Sequence, residues 1–142
     1  MRTGPLTSLK VIELCNVVAG PFAGSLLADW GADVIKIEMP GKGDPFRAFL
    51  PYDDANHEVS LRWITMGRNK RCVTLDLHGE KGHKILLDLV KDADLVIENF
   101  RPGTMEKLGL GYDVLKEVNP KLVYGFVSGY GEKGPDKDLP GF

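Results

Sequence analysis

The sequence predicts an α/β domain: a mainly parallel sheet with flanking helices. Three observations carry that prediction. Residues 9–38 read as one strand–helix–strand unit, apolar strand-like runs then alternate with helical patterns, and polar stretches fall where the strands would end. A strand–helix–strand unit pairs its strands in parallel and crosses over with a right hand.

Residues 9–14 form the first strand, a short apolar run of the kind that suits a strand buried on both faces. Pro21 is expected to open the helix that follows, since proline lacks the N–H that a first turn leaves unpaired. That helix extends to Trp30, with Phe22, Leu26, Leu27 and Trp30 at helical spacing, and Gly31 stops it. Residues 33–38 make the second strand. Glycine and proline then mark residues 39–45 as loop, and residues 46–66 are expected to be irregular around a short helix. So long a loop in a domain of this size is functional or packed on a partner. The third strand is expected over residues 72–76. Residues 80–90 place Ile85, Leu86, Leu89 and Val90 on one helical face, and residues 93–98 form the fourth strand. Thr104 is expected to cap a helical turn reaching Leu108. A short helix over residues 112–118 leads to a fifth strand over residues 122–127.

The 142 residues suit a single domain large enough to bury most of its surface. A hydrophobic content of 43% with 27% charged residues belongs to an ordinary globular protein. A net charge of −2, with no basic run longer than Lys70-Arg71, argues against a nucleic-acid partner. Cys15 and Cys72 lie in or beside apolar runs without metal-ligand spacing, so both are expected to be buried free thiols and no metal is expected. No stretch approaches membrane-spanning length and residues 1–8 lack an apolar signal core, which places the expected location in the cytoplasm.

In open parallel sheets, ligands bind beyond the carboxyl ends of strands, against helix N-termini. Residues 16–24 occupy that place. They contain Gly20 and Gly24 but not the triplet G-x-G-x-x-G, which disfavours a nicotinamide-binding domain even though Glu38 stands where a ribose-binding acid would. The plainer reading makes Gly20 a turn residue and Val17, Val18 and Ala19 core. Residues 99–103 form a second strand end. Lys70, Arg71, Arg101 and Lys107 are the cations expected to reach phosphates; Asn99 offers amide donors and an acceptor, and Phe100 an apolar face for a ring or a pantetheine arm. A lysine on a helix is more often a solvated charge, and Phe100 alone would be core. His57, His78 and His83 are scattered, and no Ser/His/Asp or Cys/His arrangement stands out.

Val17-Val18-Ala19-Gly20-Pro21-Phe22-Ala23-Gly24, Gly31-Ala32-Asp33-Val34-Ile35-Lys36-Ile37-Glu38, Asn69-Lys70-Arg71 with Leu75-Asp76, Glu98-Asn99-Phe100-Arg101-Pro102-Gly103, and Asn119-Pro120-Lys121-Leu122 with Ser128-Gly129-Tyr130-Gly131 follow one another along the chain. In that order they resemble the successive blocks of the class III CoA-transferases, a family that also holds α-methylacyl-CoA racemase. The closing residues 131–142 are most similar to transferases acting on 2-hydroxy acids such as phenyllactate or 2-hydroxyisocaproate.

The resemblance implies a Rossmann-like domain, the N-terminal part of a larger fold whose subunits form an interlocked homodimer. It implies coenzyme A or acyl-CoA as a substrate together with a carboxylic acid. By position, Val18 and Ala19 would contact the CoA, Leu75 and His78 would flank its nucleotide, and Asn99, Phe100 and Arg101 would hold its middle. Lys107 matches a family arginine at the phosphates. Met39 stands where some members place another arginine, and Lys42 is the substitute. The family's aspartate nucleophile is matched by none of Asp29, Asp44, Asp76 or Asp94 and would lie beyond Phe142. The expectation is therefore a fragment or one part of a split protein, with the rest of the large domain and the small domain supplied elsewhere. Racemisation is disfavoured, because Phe142 stands at the family's histidine position and cannot transfer a proton. A non-catalytic partner subunit is the remaining alternative.

Overall fold

A computed structural model describes residues 3–52 and 59–141. Its five strands are β1 (Lys10–Leu14), β2 (Asp33–Glu38), β3 (Arg71–Thr74), β4 (Leu95–Glu98) and β5 (Val123–Phe126), all parallel, in the order β3-β2-β1-β4-β5. The chain moves outward from β1 to β3 and then returns across β1 to β4. The sheet therefore reverses direction between β1 and β4, and a crevice opens beyond their carboxyl ends.

Helix α1 (Ala19–Asp29) lies on one face. Helices α3 (Glu80–Val90), α4 (Thr104–Lys107) and α5 (Tyr112–Val118) lie on the other. The second face is conventional. Ile12, Leu14, Ile37 and Val96 from the strands meet Leu86, Val90, Met105 and Leu115 in one apolar cluster. Period-two alternation then sends Val11, Val34 and Ile97 toward α1.

That alternation also sends Glu13 and Lys36 toward α1, and register pairs the two directly. Both are fully buried. Helix α1 makes room by turning its small residues inward: Gly20, Pro21, Gly24, Ser25 and Ala28 are its buried positions. A Cβ on Gly24 would strike the Glu13 carboxylate, and one on Gly20 would strike the Cys15 sulfur. Phe22, Leu26 and Trp30 point outward instead, with Trp30 56% exposed.

Several sequence expectations need correction. Helix α1 starts at Ala19, two residues before Pro21, with Val18 as its N-cap residue. Gly20 is thus an inward-facing helical residue and not a turn, while Val18 and Ala19 are exposed rather than core. Thr104 does not cap α4; Gly103 does, at φ 78°, where a side chain would be strained. Cys15 is the buried thiol expected, but Cys72 is exposed on the edge strand β3. The stretch expected to be irregular holds a 3₁₀ turn, Pro45–Ala48, and helix α2 (Leu61–Gly67), whose Ser60 hydroxyl accepts a hydrogen bond from the Trp63 N–H at 3.3 Å. His57 and Phe142 lie outside the described residues. Among the described residues no helix is long and apolar enough to cross a membrane.

Candidate functional site

The β1–α1 loop and the β4–α4 loop meet at the crevice. The Asn16 N–H donates to Asn99 Oδ1 and Asn99 Nδ2 donates to the Asn16 carbonyl, each at 2.8 Å. One side-chain amide thus ties two strand ends that are distant in sequence. Asn99 spends one donor and one acceptor on the tie and keeps one of each for a ligand.

Two grooves flank this tie. The first, about 330 Å³, brings Ala19, Asn99, Phe100 and Arg101 together with Gly129 and Pro140. The second, about 520 Å³ and mostly apolar, is lined by Leu75, His78 and Phe100 with Met39, Lys42 and Leu108. Phe100 lines both. Six of the eight sequence-derived positions (Ala19, Leu75, His78, Asn99, Phe100 and Arg101) therefore line one or other of these two grooves. Val18 is exposed at the mouth of α1, and Lys107 is exposed on α4; neither lines a groove. Lys42 does line the second groove, beside Met39.

Two cations read from the sequence as phosphate ligands are committed elsewhere. Lys70 is buried 2.6 Å from Glu13 Oε2, with its ammonium also donating to the Pro21 carbonyl at 2.6 Å. Arg71 pairs with Asp33 at the opposite end of the sheet, Nη2 to Oδ2 at 2.7 Å. Glu38 is likewise not a free ribose acid. It is buried and receives Arg47 Nη2 at 2.9 Å, while the Arg47 guanidinium stacks 3.7 Å from the Trp63 ring centroid. The aspartates are held too: Asp29 by Arg68 and Asn69, Asp76 by the His78 N–H, and Asp94 by the Lys10 N–H.

Beneath the β1–α1 loop sits a buried ion cluster that sequence reasoning missed. Lys36 Nζ lies 3.0 Å from Glu13 Oε1, 2.8 Å from Asp44 Oδ2 and 2.5 Å from the Cys15 carbonyl. All four charged side chains of the cluster, including Lys70, are fully buried. Burial alone would lower the Lys36 pKa, but the Glu13 and Asp44 carboxylates outweigh it and raise the value. For Lys70 burial prevails over Glu13, and its pKa is lowered. Burial also raises Glu13 against the pull of both lysines. The signal was present in the sequence: Glu13 and Lys36 interrupt the two apolar runs at positions that in-register pairing places side by side.

At the end of β4, Glu98 accepts from the Phe100 N–H at 2.7 Å and the Tyr124 hydroxyl at 3.1 Å. Burial pushes its pKa up to about 7, partly opposed by those two bonds. The Cys15 thiol, raised first by burial and then by Glu13, is inert. Among the described residues no cluster of His, Cys, Asp and Glu could hold a metal ion.

The family profile of CoA-transferase family III matches residues 6–142. The chain belongs to that family. It is 46% identical over 138 residues to the succinyl-CoA–L-malate CoA-transferase alpha subunit of Chloroflexus aurantiacus, covering 97% of this chain and 32% of the relative. It is also 46% identical over 143 residues to cinnamoyl-CoA:phenyllactate CoA-transferase of Clostridium sporogenes, covering 99% of this chain and 34% of that enzyme. The crystal structure of a CAIB/BAIF family protein from Brucella suis superposes with a TM-score of 0.92 at 41% identity, over 99% of this chain and 38% of that one. This family III chain thus spans about a third of the length of the relatives it matches. The resemblance read from its motif blocks and the parallel α/β architecture both hold.

Proposed function

We propose that this chain supplies much of the coenzyme A site of a CoA-transferase, an enzyme that moves CoA from an acyl-CoA thioester to a carboxylic acid. One observation carries the reading: the mouth of α1 at Ala19 and the Asn99-Phe100-Arg101 segment face a shared groove, and Phe100 continues it into the Leu75–His78 groove. Two grooves joined at a phenyl ring suit a long ligand that is nucleotide at one end and pantetheine in the middle. The larger, apolar groove takes the adenine between Leu75 and Leu108. Lys42 and Lys107 supply cations toward the phosphates, and Arg101, whose guanidinium has no hydrogen-bond partner among the described residues, supplies another. Val18 and Ala19 approach the thioester end, where the unpaired N–H groups of a first helical turn favour a developing oxyanion.

The reaction in this reading is covalent acyl exchange. A carboxylate nucleophile attacks the acyl-CoA, forming a mixed anhydride and releasing thiolate. The thiolate then attacks the nucleophile's own carbonyl, giving an aspartyl-CoA thioester and the donor acid. The acceptor carboxylate takes the CoA by the same two steps in reverse. By the family resemblance the aspartate nucleophile is expected beyond Phe142, so in this proposal it is contributed from outside the described residues, in an interlocked dimer; Asp29, Asp44, Asp76 and Asp94 are each held by other groups. Similarity to cinnamoyl-CoA:phenyllactate CoA-transferase supports a 2-hydroxy acid as the acceptor.

Calorimetric titration with free CoA tests the binding half. The expected result is saturable binding that Phe100→Ala weakens by about tenfold, the scale of losing one buried aromatic contact. Absence of binding, or equal affinity in the variant, would overturn the assignment.

A further inference from the structure

The β1–α1 loop contains a conformation that its own sequence disfavours. Val17 sits at φ 69°, the left-handed region, where a β-branched residue is strained. Such a residue persists only if its surroundings impose it. Asp44 does so from the loop after β2. Its two carboxylate oxygens lie 3.2 and 3.3 Å from the Val17 N–H. Oδ1 also accepts from the Phe46 N–H at 2.9 Å, and Oδ2 is fixed by Lys36 at 2.8 Å. Lys36 holds the other side of the bend through the Cys15 carbonyl, and Lys70 holds the helix start through the Pro21 carbonyl. A left-handed residue immediately before an N-cap sets the direction from which the chain enters the helix. It therefore sets where the N–H groups of Val18, Ala19 and Gly20 point.

We propose that Asp44 is a positioning residue: by clamping the Val17 N–H it holds the left-handed bend that aims the first turn of α1 into the groove shared with Asn99 and Arg101. The buried ions are in this view a clamp on the loop rather than a source of net stability. Replacing a buried ion group by apolar residues is often neutral for folding, so its retention calls for a second role. Asp44 lines neither of the two grooves and bears on them through Val17 and, by way of Lys36, through the Cys15 carbonyl. The inference rests on the CoA reading for its consequence, but the bend itself can be observed without any ligand.

The test compares the parent chain, Asp44→Ala, and Asp44→Ala combined with Val17→Gly, since glycine adopts a positive φ without a clamp. Amide hydrogen exchange at residues 17–20 is read without ligand, and affinity for free CoA by calorimetry. Asp44→Ala is expected to speed exchange at these amides, to lower the melting midpoint and to weaken CoA binding by about tenfold, the scale of one strained residue released. Val17→Gly is expected to restore affinity to within about threefold without restoring the melting midpoint, a separation that a purely structural role would not produce. Unchanged exchange in Asp44→Ala, or a folded double variant whose affinity stays low, overturns the proposal. If Asp44→Ala does not fold, the same comparison is made with Asp44→Leu, which fills a similar space but offers the Val17 N–H no acceptor. If the parent binds no CoA, the functional assignment fails, and the exchange data alone still decide whether Asp44 holds the bend.

Discussion

On one face of the sheet, Leu14, Ile37 and Val96 meet Leu86, Val90 and Leu115 in an apolar layer. On the other, Glu13 and Lys36 point at α1, which answers with Gly20, Gly24 and Ser25. The first face holds the fold by removing hydrocarbon from water, an undirected force that tolerates exchange of similar volumes. The second adds to a smaller apolar cluster around Val11, Val34 and Ile97 a set of ions that must keep their partners and their distances. It lies directly under the loop at the candidate site. The ion-held face thus fixes the direction of one loop, while the apolar face, through Ile37, Leu75 and Leu108, lines the larger groove.

The largest effect should come from Glu13, which stands between two buried lysines. Glu13→Ala leaves both without that carboxylate and should cost about 3–5 kcal/mol in urea unfolding. A cost below that of a surface change would mean that the charged face is incidental. Leu86→Ala, the matching cut through the apolar face, should cost about 2–4 kcal/mol, and unlike Glu13→Ala it should leave amide exchange at residues 17–20 in the folded state unchanged.

Glu98 sharpens the contrast from the apolar side, where a buried carboxylate has hydrogen bonds but no cation among the described residues. Its pKa rises from 4.5 to about 7. Between those values the unfolded chain loses the proton first, so the native state binds more protons and stability falls as pH rises. The contribution is complete below about pH 4.5 and gone above about pH 7. Glu98→Gln should remove roughly 3 kcal/mol of pH-dependent stability across that window, read as melting midpoint against pH. A variant with the parent's slope would place the titration elsewhere.

The smallest effect should be on the outer surface of α1. Trp30→Ser should change the stability of the isolated chain by no more than about 0.5 kcal/mol, because that side chain is largely exposed. A larger loss would mean that the wide apolar residues, rather than the small ones, seat the helix.

The apolar face was legible in the sequence. Helices α3 and α5 and strand β2 run over the predicted residues, with Leu86 and Val90 buried on α3 as their spacing suggests, although Ile85 of the same set is exposed. Helix α1 was legible as an element but not in its orientation. Hydrophobic spacing assigns Phe22, Leu26 and Trp30 inward, and only the partner surface, two charges under two glycines, reverses that choice. Ala19, Asn99, Phe100 and Arg101, read from separate motif blocks, line one groove. Lys70 and Arg71 do not join them: Lys70, just before β3, turns to Glu13, and Arg71, at the start of β3, pairs with Asp33. Asp44 sat in a stretch dense with glycine and proline that reads only as loop, and nothing local announces a contact reaching back to Val17.

The most direct test is amide exchange of the chain with and without free CoA. The account predicts that protection rises together at residues 17–20 and at residues 99–101, the two loops bridged by the Asn16–Asn99 hydrogen bonds. Protection confined to one of these loops, or arising only at the far end of the sheet around Arg71 and Asp33, would contradict it.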